Sequence, residues 1–140
     1  METIIWNDSF SVGVAELDEQ HRRIIRMMND LIDSKESLQD RVELAARTIE
    51  EMSEYAARHF KAEEKLMQEH GYPGFDGHRA QHTGFRQEIM ELGNRVVSYG
   101  RTIPADAMEK MLLFLYNWWI HHILQSDMAY KRFFNEKGVF

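Results

Sequence analysis

Four stretches of this chain carry an apolar stripe of helical period, and histidine interrupts every one. Apolar residues recurring at three- and four-residue steps mark the buried face of an amphipathic helix. His21, Ile24, Ile25, Met28, Leu31 and Ile32 share the first stripe. Val42, Ala45, Ile49, Met52, Ala56, His59, Glu63 and Leu66 form the second. Phe75, His78, His82, Phe85, Ile89, Leu92, Val96 and Tyr99 form the third, and Met108, Met111, Leu115, Trp118 and His122 the fourth. Imidazoles and carboxylates are costly in a core unless something pairs them. The exceptions therefore constrain both the fold and the chemistry.

Breaks separate the stripes. HGYPGFDG (70–77) gathers three glycines around Pro73, and YGRTIPAD (99–106) holds the second proline, Pro104. Both are strong turn signals. DSKESLQD (33–40) reads as a weaker, polar turn. The spacing predicts an N-terminal arm over 1–17 and helices over about 18–35, 39–70, 75–99 and 104–134. Short connections make successive helices antiparallel neighbours. The predicted fold is therefore all-α, one domain over 1–140, an up-down-up-down antiparallel four-helix bundle with an N-terminal arm. FSVGV in the arm is the only strand-like run and is too short to build a sheet. Trp6 and Phe10 are expected to pack over the helix ends.

Composition excludes several classes of function. With no cysteine, the chain has no disulfides, thiolate metal sites or cysteine nucleophiles. A formal charge of −6 without any basic cluster is a poor match for a phosphate backbone. The opening METIIWNDSF lacks the basic and apolar regions of a signal peptide. No apolar stretch approaches membrane-spanning length. The expectation is a cytoplasmic protein with no nucleic-acid or membrane partner; no protein partner is indicated. Six residues follow Phe134, so no output domain is expected there.

The ionisable residues on the inward stripes are His21, His59, Glu63, His78, His82 and His122, with no Lys or Arg among them. Five of the seven histidines thus lie on the predicted core face, while His70 falls at a helix end and His121 one step off its stripe. At about 1.5 Å of rise per residue, all six residues fall toward one end of an antiparallel bundle. A lone core histidine is usually a hydrogen-bonded structural residue. Five at one level with a carboxylate call for a compensating cation. Imidazole plus carboxylate suits iron, zinc, copper or manganese. Five histidines exceed the three protein ligands of a catalytic zinc site, and the count fits two metals. The repeated Glu-x-x-His of ferritin-like di-iron bundles is absent. The methionines, at helical spacing, read as core filler rather than copper ligands.

These motifs resemble those of the hemerythrins, in particular the single-domain bacteriohemerythrins. WNDSFSVGVAELDEQHRRI is similar to the family's N-terminal motif, and HFKAEEKLM to its His-Phe-x-x-Glu-Glu motif. GYPGFDGHRAQH resembles its Gly-Tyr-Pro…His-x-x-x-His motif, and WWIHHILQSD its Trp-x-x-x-His-Ile-x-x-x-Asp motif. The likeness covers essentially the whole chain. It implies a seventh ligand, Asp127, which helical periodicity does not reach, and it selects His122 over His121. It further implies two non-haem iron ions: one held by His78, His82 and His122, the other by His21 and His59. Glu63 and Asp127 would bridge them together with an oxo or hydroxo group. Dioxygen would bind reversibly at the open position of the second iron.

The resemblance thus implies an oxygen carrier, store or sensor rather than an enzyme. A di-iron oxidase or peroxidase is the first alternative, and nitric oxide or iron handling the second. One position departs from the family. The family usually has Trp-Leu ahead of its His-Ile, and that leucine tends to line the dioxygen pocket; here the residues are Trp118 and Trp119. Trp119 either turns outward or sits over the open iron, where its indole N–H could reach a bound ligand. Its helical position, one step from the stripe, favours the second. Trp118 and Trp119 are therefore the candidate pocket-lining residues.

Overall fold

The computed structural model describes residues 1–140. Helix α1 spans Ala15–Asp33, α2 Lys35–Gln39, α3 Val42–His70, α4 Phe75–Ser98 and α5 Ala105–His121. From there the chain continues through a π-helical segment, His122–Asp127, a 3-10 turn, Met128–Tyr130, and α6, Lys131–Glu136. No strand forms: the Phe10 of FSVGV closes a 3-10 turn, Asp8–Phe10, and the rest of the run is irregular chain. Helix α3 packs against α1 and α4, and α1 also packs against α5, closing an antiparallel four-helix bundle. No helix is long and apolar enough to cross a membrane.

Three boundaries differ from the predicted ones, each for a local reason. The arm is shorter than 1–17, because α1 starts at Ala15. Asp18, in the first turn of α1, draws the arm back over the helix. Its Oδ1 accepts the Val12 N–H at 2.8 Å, and its Oδ2 accepts the Ser11 hydroxyl at 2.6 Å. The polar run 33–40 is not a plain turn but contains α2, anchored by the buried side chain of Leu38. Lys35 Nζ ties α2 to Glu109 Oε2 of α5 at 2.5 Å. One apolar residue in a polar run leaves no period to read. The predicted helix 104–134 is continuous in path but changes pitch three times.

Helix α3 stops at Gly71, whose φ of 68° lies in the left-handed region open to glycine. The stripes also shift register in two places. Met67 is buried and Leu66 only half-buried, while Trp119 is buried and Trp118 half-buried. Steps of three and four are both helical, so the sequence could not choose between adjacent apolar residues.

The interior divides along the bundle axis. A large apolar cluster of 24 buried residues runs from Ile24, Phe60, Phe85 and Ile123 toward the far end. A small cluster of six, Val12, Val14, Leu17, Met67, Tyr130 and Phe134, lies under the arm and the 71–74 turn. Along each helix the order is the same. Leu17 precedes His21 and then Ile24; Met67 follows Glu63, which follows Phe60; Tyr130 follows Asp127, which follows Ile123. A layer of ionisable side chains therefore separates the two clusters.

Candidate metal centre

The layer is assembled from all four long helical members. His21 comes from α1, His59 and Glu63 from α3, His78 and His82 from α4, and His122 and Asp127 from the π-helical segment. None is more than 5% exposed. Asp127 owes its place to the change of pitch. In an α-helix, residues five apart diverge by about 140° around the axis. A π turn bonds residue i to i+5 and brings such residues together. Asp127 Oδ1 accordingly lies 3.1 Å from His122 Nε2. An α-helical period cannot foresee this pairing.

Two donor sets result. Glu63, His78, His82, His122 and Asp127 form one, and His21, His59, Glu63 and Asp127 the other. Within each set the ligand atoms lie within 4.8 Å of one another. All seven sequence-derived candidates are therefore brought together, with the two carboxylates common to both sets. His121 is exposed on the surface, away from the donors.

The contacts within the layer are close but poorly matched. His59 Nδ1 donates to Gln20 Oε1 at 2.7 Å, which leaves its Nε2 as a lone pair 2.9 Å from Glu63 Oε1. His82 Nδ1 faces Glu64 Oε2 at 3.0 Å, and His122 Nδ1 faces Gln81 Oε1 at 3.0 Å. Both acceptors call for an N–H at Nδ1, which leaves the two Nε2 atoms facing each other across 3.0 Å as the inward ligand atoms. His21 Nε2 and His78 Nε2 each approach Asp127 at 2.9 Å. Buried nitrogens of His21, His59 and His78, and all four oxygens of Glu63 and Asp127, lack a formed hydrogen bond. Buried polar atoms are nearly always satisfied. A group of lone pairs converging at one level is what cations would satisfy, so the residues fit a metal pair.

Electrostatics agrees. Burial pushes the Glu63 carboxyl up, but the His59 imidazole, followed by those of His78 and His82, holds it well below its ordinary value. Burial and the charge of Glu63 likewise raise Asp127, and His122 and His21 outweigh them and hold it low. Burial opposes a charge on His78, yet Asp127 and Glu63 raise it to about 9. His21 is raised by the same carboxylates against its burial, whereas burial wins at His59 and lowers it. Both carboxylates are thus held as anions, ready to meet positive charge.

Sequence reasoning missed the outer partners. Gln20, Glu64 and Gln81 each precede or follow a donor in the chain, but each holds an imidazole from a neighbouring helix. Ser126 Oγ donates to Gln81 Oε1 at 2.6 Å and steadies it in turn. A residue one step from a core position lies at the border between two helices, and that adjacency was the available signal. Such partners orient metal-binding imidazoles and set their tautomer. The tryptophans take different sides. Trp118 stacks on His122 with centroids 4.4 Å apart. Trp119, fully buried, lies 6.2 Å from the His59 ring and 5.1 Å from Phe85, and its Nε1 has no acceptor.

Fold and layer together define a class: an antiparallel helical bundle with a buried histidine–carboxylate cluster able to hold two metal ions. Comparison with known proteins narrows it. The family model for the hemerythrin HHE cation binding domain matches residues 12–134. Bacteriohemerythrin of Stenotrophomonas maltophilia (strain R551-3) is 32% identical over 130 residues, covering 93% of this chain and 80% of that protein. The hemerythrin-like protein of Naegleria gruberi is 30% identical over 126 residues, covering 90% of this chain and 89% of that one. A crystal structure of wild-type hemerythrin has a TM-score of 0.79 and 25% identity, covering 94% of this chain and 97% of its own. The chain belongs to the hemerythrin family.

Proposed function

We propose that the protein binds dioxygen reversibly at a non-haem di-iron centre and serves as an oxygen carrier, store or sensor. The observation that carries this reading is the asymmetry of the donor sets, five side chains against four, sharing both carboxylates. His78, His82 and His122 would hold one iron, and His21 and His59 the other. Glu63 and Asp127 would bridge the pair, with an oxo or hydroxo group beside them. The four-donor side keeps a position for dioxygen. When bound, the iron pair supplies the electrons that dioxygen takes up and returns on release.

The chain's own residues do the rest. Gln20, Glu64 and Gln81 fix the Nδ1–H of three imidazoles, so that each Nε2 points inward. Phe60, Phe85, Trp119 and Ile123, each 1% exposed or less, keep water and outside proton donors from the site. Exclusion of protons favours return of dioxygen over its loss as peroxide. Seven protein donors leave little room for a second substrate, which supports binding over catalysis.

Metal analysis with absorption spectra before and after dithionite and air tests this. The expected result is about two irons per chain, no haem bands, and a spectrum that cycles with oxygen. Zinc alone would overturn the di-iron reading. Rapid decay of the oxygenated form with turnover of a reductant would indicate an oxidase or peroxidase instead. His122→Ala is expected to lose iron while His121→Ala keeps it.

A further inference from the structure

Two buried hydrogen-bond donors near the ionisable layer lack acceptors, and they lie on opposite sides of it. Trp119 is on the side of the large cluster, and Tyr130 is on the side of the small one. Tyr130 is fully buried, its ring 5.7 Å from that of His78 and 4.8 Å from Phe134. Its place follows from the helical irregularity that sets Asp127. After the π-helical segment the chain tightens into the 3-10 turn Met128–Tyr130. In such a turn, residues three apart eclipse. Tyr130, three residues after Asp127, is therefore directed to the same side, beneath the carboxylates.

The hydroxyl lies within reach of the Glu63 carboxylate, but no hydrogen bond is formed. Glu63 Oε1 lies 2.9 Å from His59 Nε2 and 3.4 Å from His82 Nε2, and Oε2 lies 3.7 Å from His78 Nε2, without a hydrogen bond formed at either oxygen. Metal ions would draw those imidazole nitrogens to themselves. A bridging carboxylate would then keep a lone pair free to accept a hydrogen bond. A tyrosine phenol loses its proton only near about pH 10, so it remains a donor throughout the physiological range. No cation from the protein competes for this place, since no Lys or Arg is buried.

We propose that Tyr130 is a positioning residue that donates a hydrogen bond to bridging Glu63 and thereby sets the reduction potential of the metal pair. A carboxylate that accepts a hydrogen bond gives less charge to its metals. The less positive, ferrous state is then favoured over the ferric state, since hydrogen bonding around a metal tunes its potential. Tyr130 would in this way slow the loss of oxygen-binding protein to the ferric state. The proposal rests on the di-iron reading above.

The test compares wild type, Tyr130→Phe and protein with 3-fluorotyrosine at position 130, whose phenol is the stronger acid. Each is assayed for iron content and then for midpoint potential by spectroelectrochemical titration. The expected result is unchanged iron content in all three. The ratio of ferrous to ferric protein at a fixed potential should fall about tenfold in Tyr130→Phe, equivalent to about 59 mV for a one-electron step. It should rise with fluorotyrosine. A merely structural phenol would move neither potential in this graded way. An intact iron pair with equal potentials would overturn this proposal alone. Wild-type protein without an iron pair would overturn the di-iron reading and this proposal with it. Should Tyr130→Phe fail to fold, the fluorotyrosine comparison decides by itself.

Discussion

On one side of the ionisable layer lie 24 buried apolar residues, and on the other side six. The large cluster draws on α1, α3, α4 and α5 over many turns. Its burial repays the ordering of the helices that supply it, because hydrophobic stabilisation grows with the area removed from water. The small cluster has to order the arm, the 71–74 turn and α6, and ordering backbone is costly. It gains help from Asp18, which holds the arm, from Lys131 Nζ donating to Ser11 O at 3.1 Å, and from Asn135 Nδ2 donating to Gly13 O at 3.0 Å. The lesson is one of dependence. The far end folds on apolar packing, while the arm end is closed by polar ties next to a layer whose donors fit cations.

Removing the metal should break this comparison most clearly. The candidate donors come from every long member of the bundle, so bound ions would staple it, and a ligand present at 1,000 times its dissociation constant adds about 4 kcal/mol. Chelator-treated protein is expected to melt well below the loaded form. Hydrogen exchange should show Val12, Val14 and Tyr130 losing protection ahead of Ile49, Ile89 and Leu92. Uniform loss at both ends would contradict the division.

A cavity in the large cluster should act in the opposite way. Ile89, 1% exposed and two turns beyond His82, is remote from the donors. Ile89→Ala is expected to cost about 2–5 kcal/mol in denaturant unfolding and to leave iron content intact. Iron loss in this variant would mean that the two ends are coupled more tightly than their packing indicates.

Acidity sharpens the contrast within metal-stripped protein. His78 has its folded value raised to about 9. Its contribution to stability is fully present below the unfolded value of about 6.5 and is lost as pH rises through about 9. His21, also raised, acts in the same direction. Stripped protein should therefore melt lower at pH 9 than at pH 6.5. Metal-loaded protein should show little change over that range, because a coordinated imidazole nitrogen binds no proton. Glu63 and Asp127, held low, contribute stability that is lost only as the solution becomes strongly acidic.

The smallest expected effect lies at the border of the layer. Gln81→Ala removes the acceptor of His122 Nδ1 and the partner of Ser126. Metal affinity should fall by about tenfold or somewhat more, measured by competition with a chelator, with the fold retained. An unchanged affinity would show that Trp118, stacked on the same ring, suffices to orient His122.

The helical period of the chain determined the four members, their antiparallel order and six of the seven clustered donors, since each of those residues obeys steps of three and four. The glycine–proline turns determined where three of the helices end or begin. Geometry in three dimensions decided the remainder. Asp127 joins the cluster only because the backbone loosens into a π turn, and Tyr130 lies beneath it because the next turn tightens. The choice of Trp119 over Trp118 and of Met67 over Leu66 was made by packing, which ranks neighbours that a period treats as equivalent. Gln20, Glu64 and Gln81 reach imidazoles on other helices, so their partners follow from how helices are placed side by side rather than from order along the chain. Periodicity is a property of one helix, whereas hydrogen-bond partners and the departures that set Asp127 and Tyr130 arise only when several helices meet.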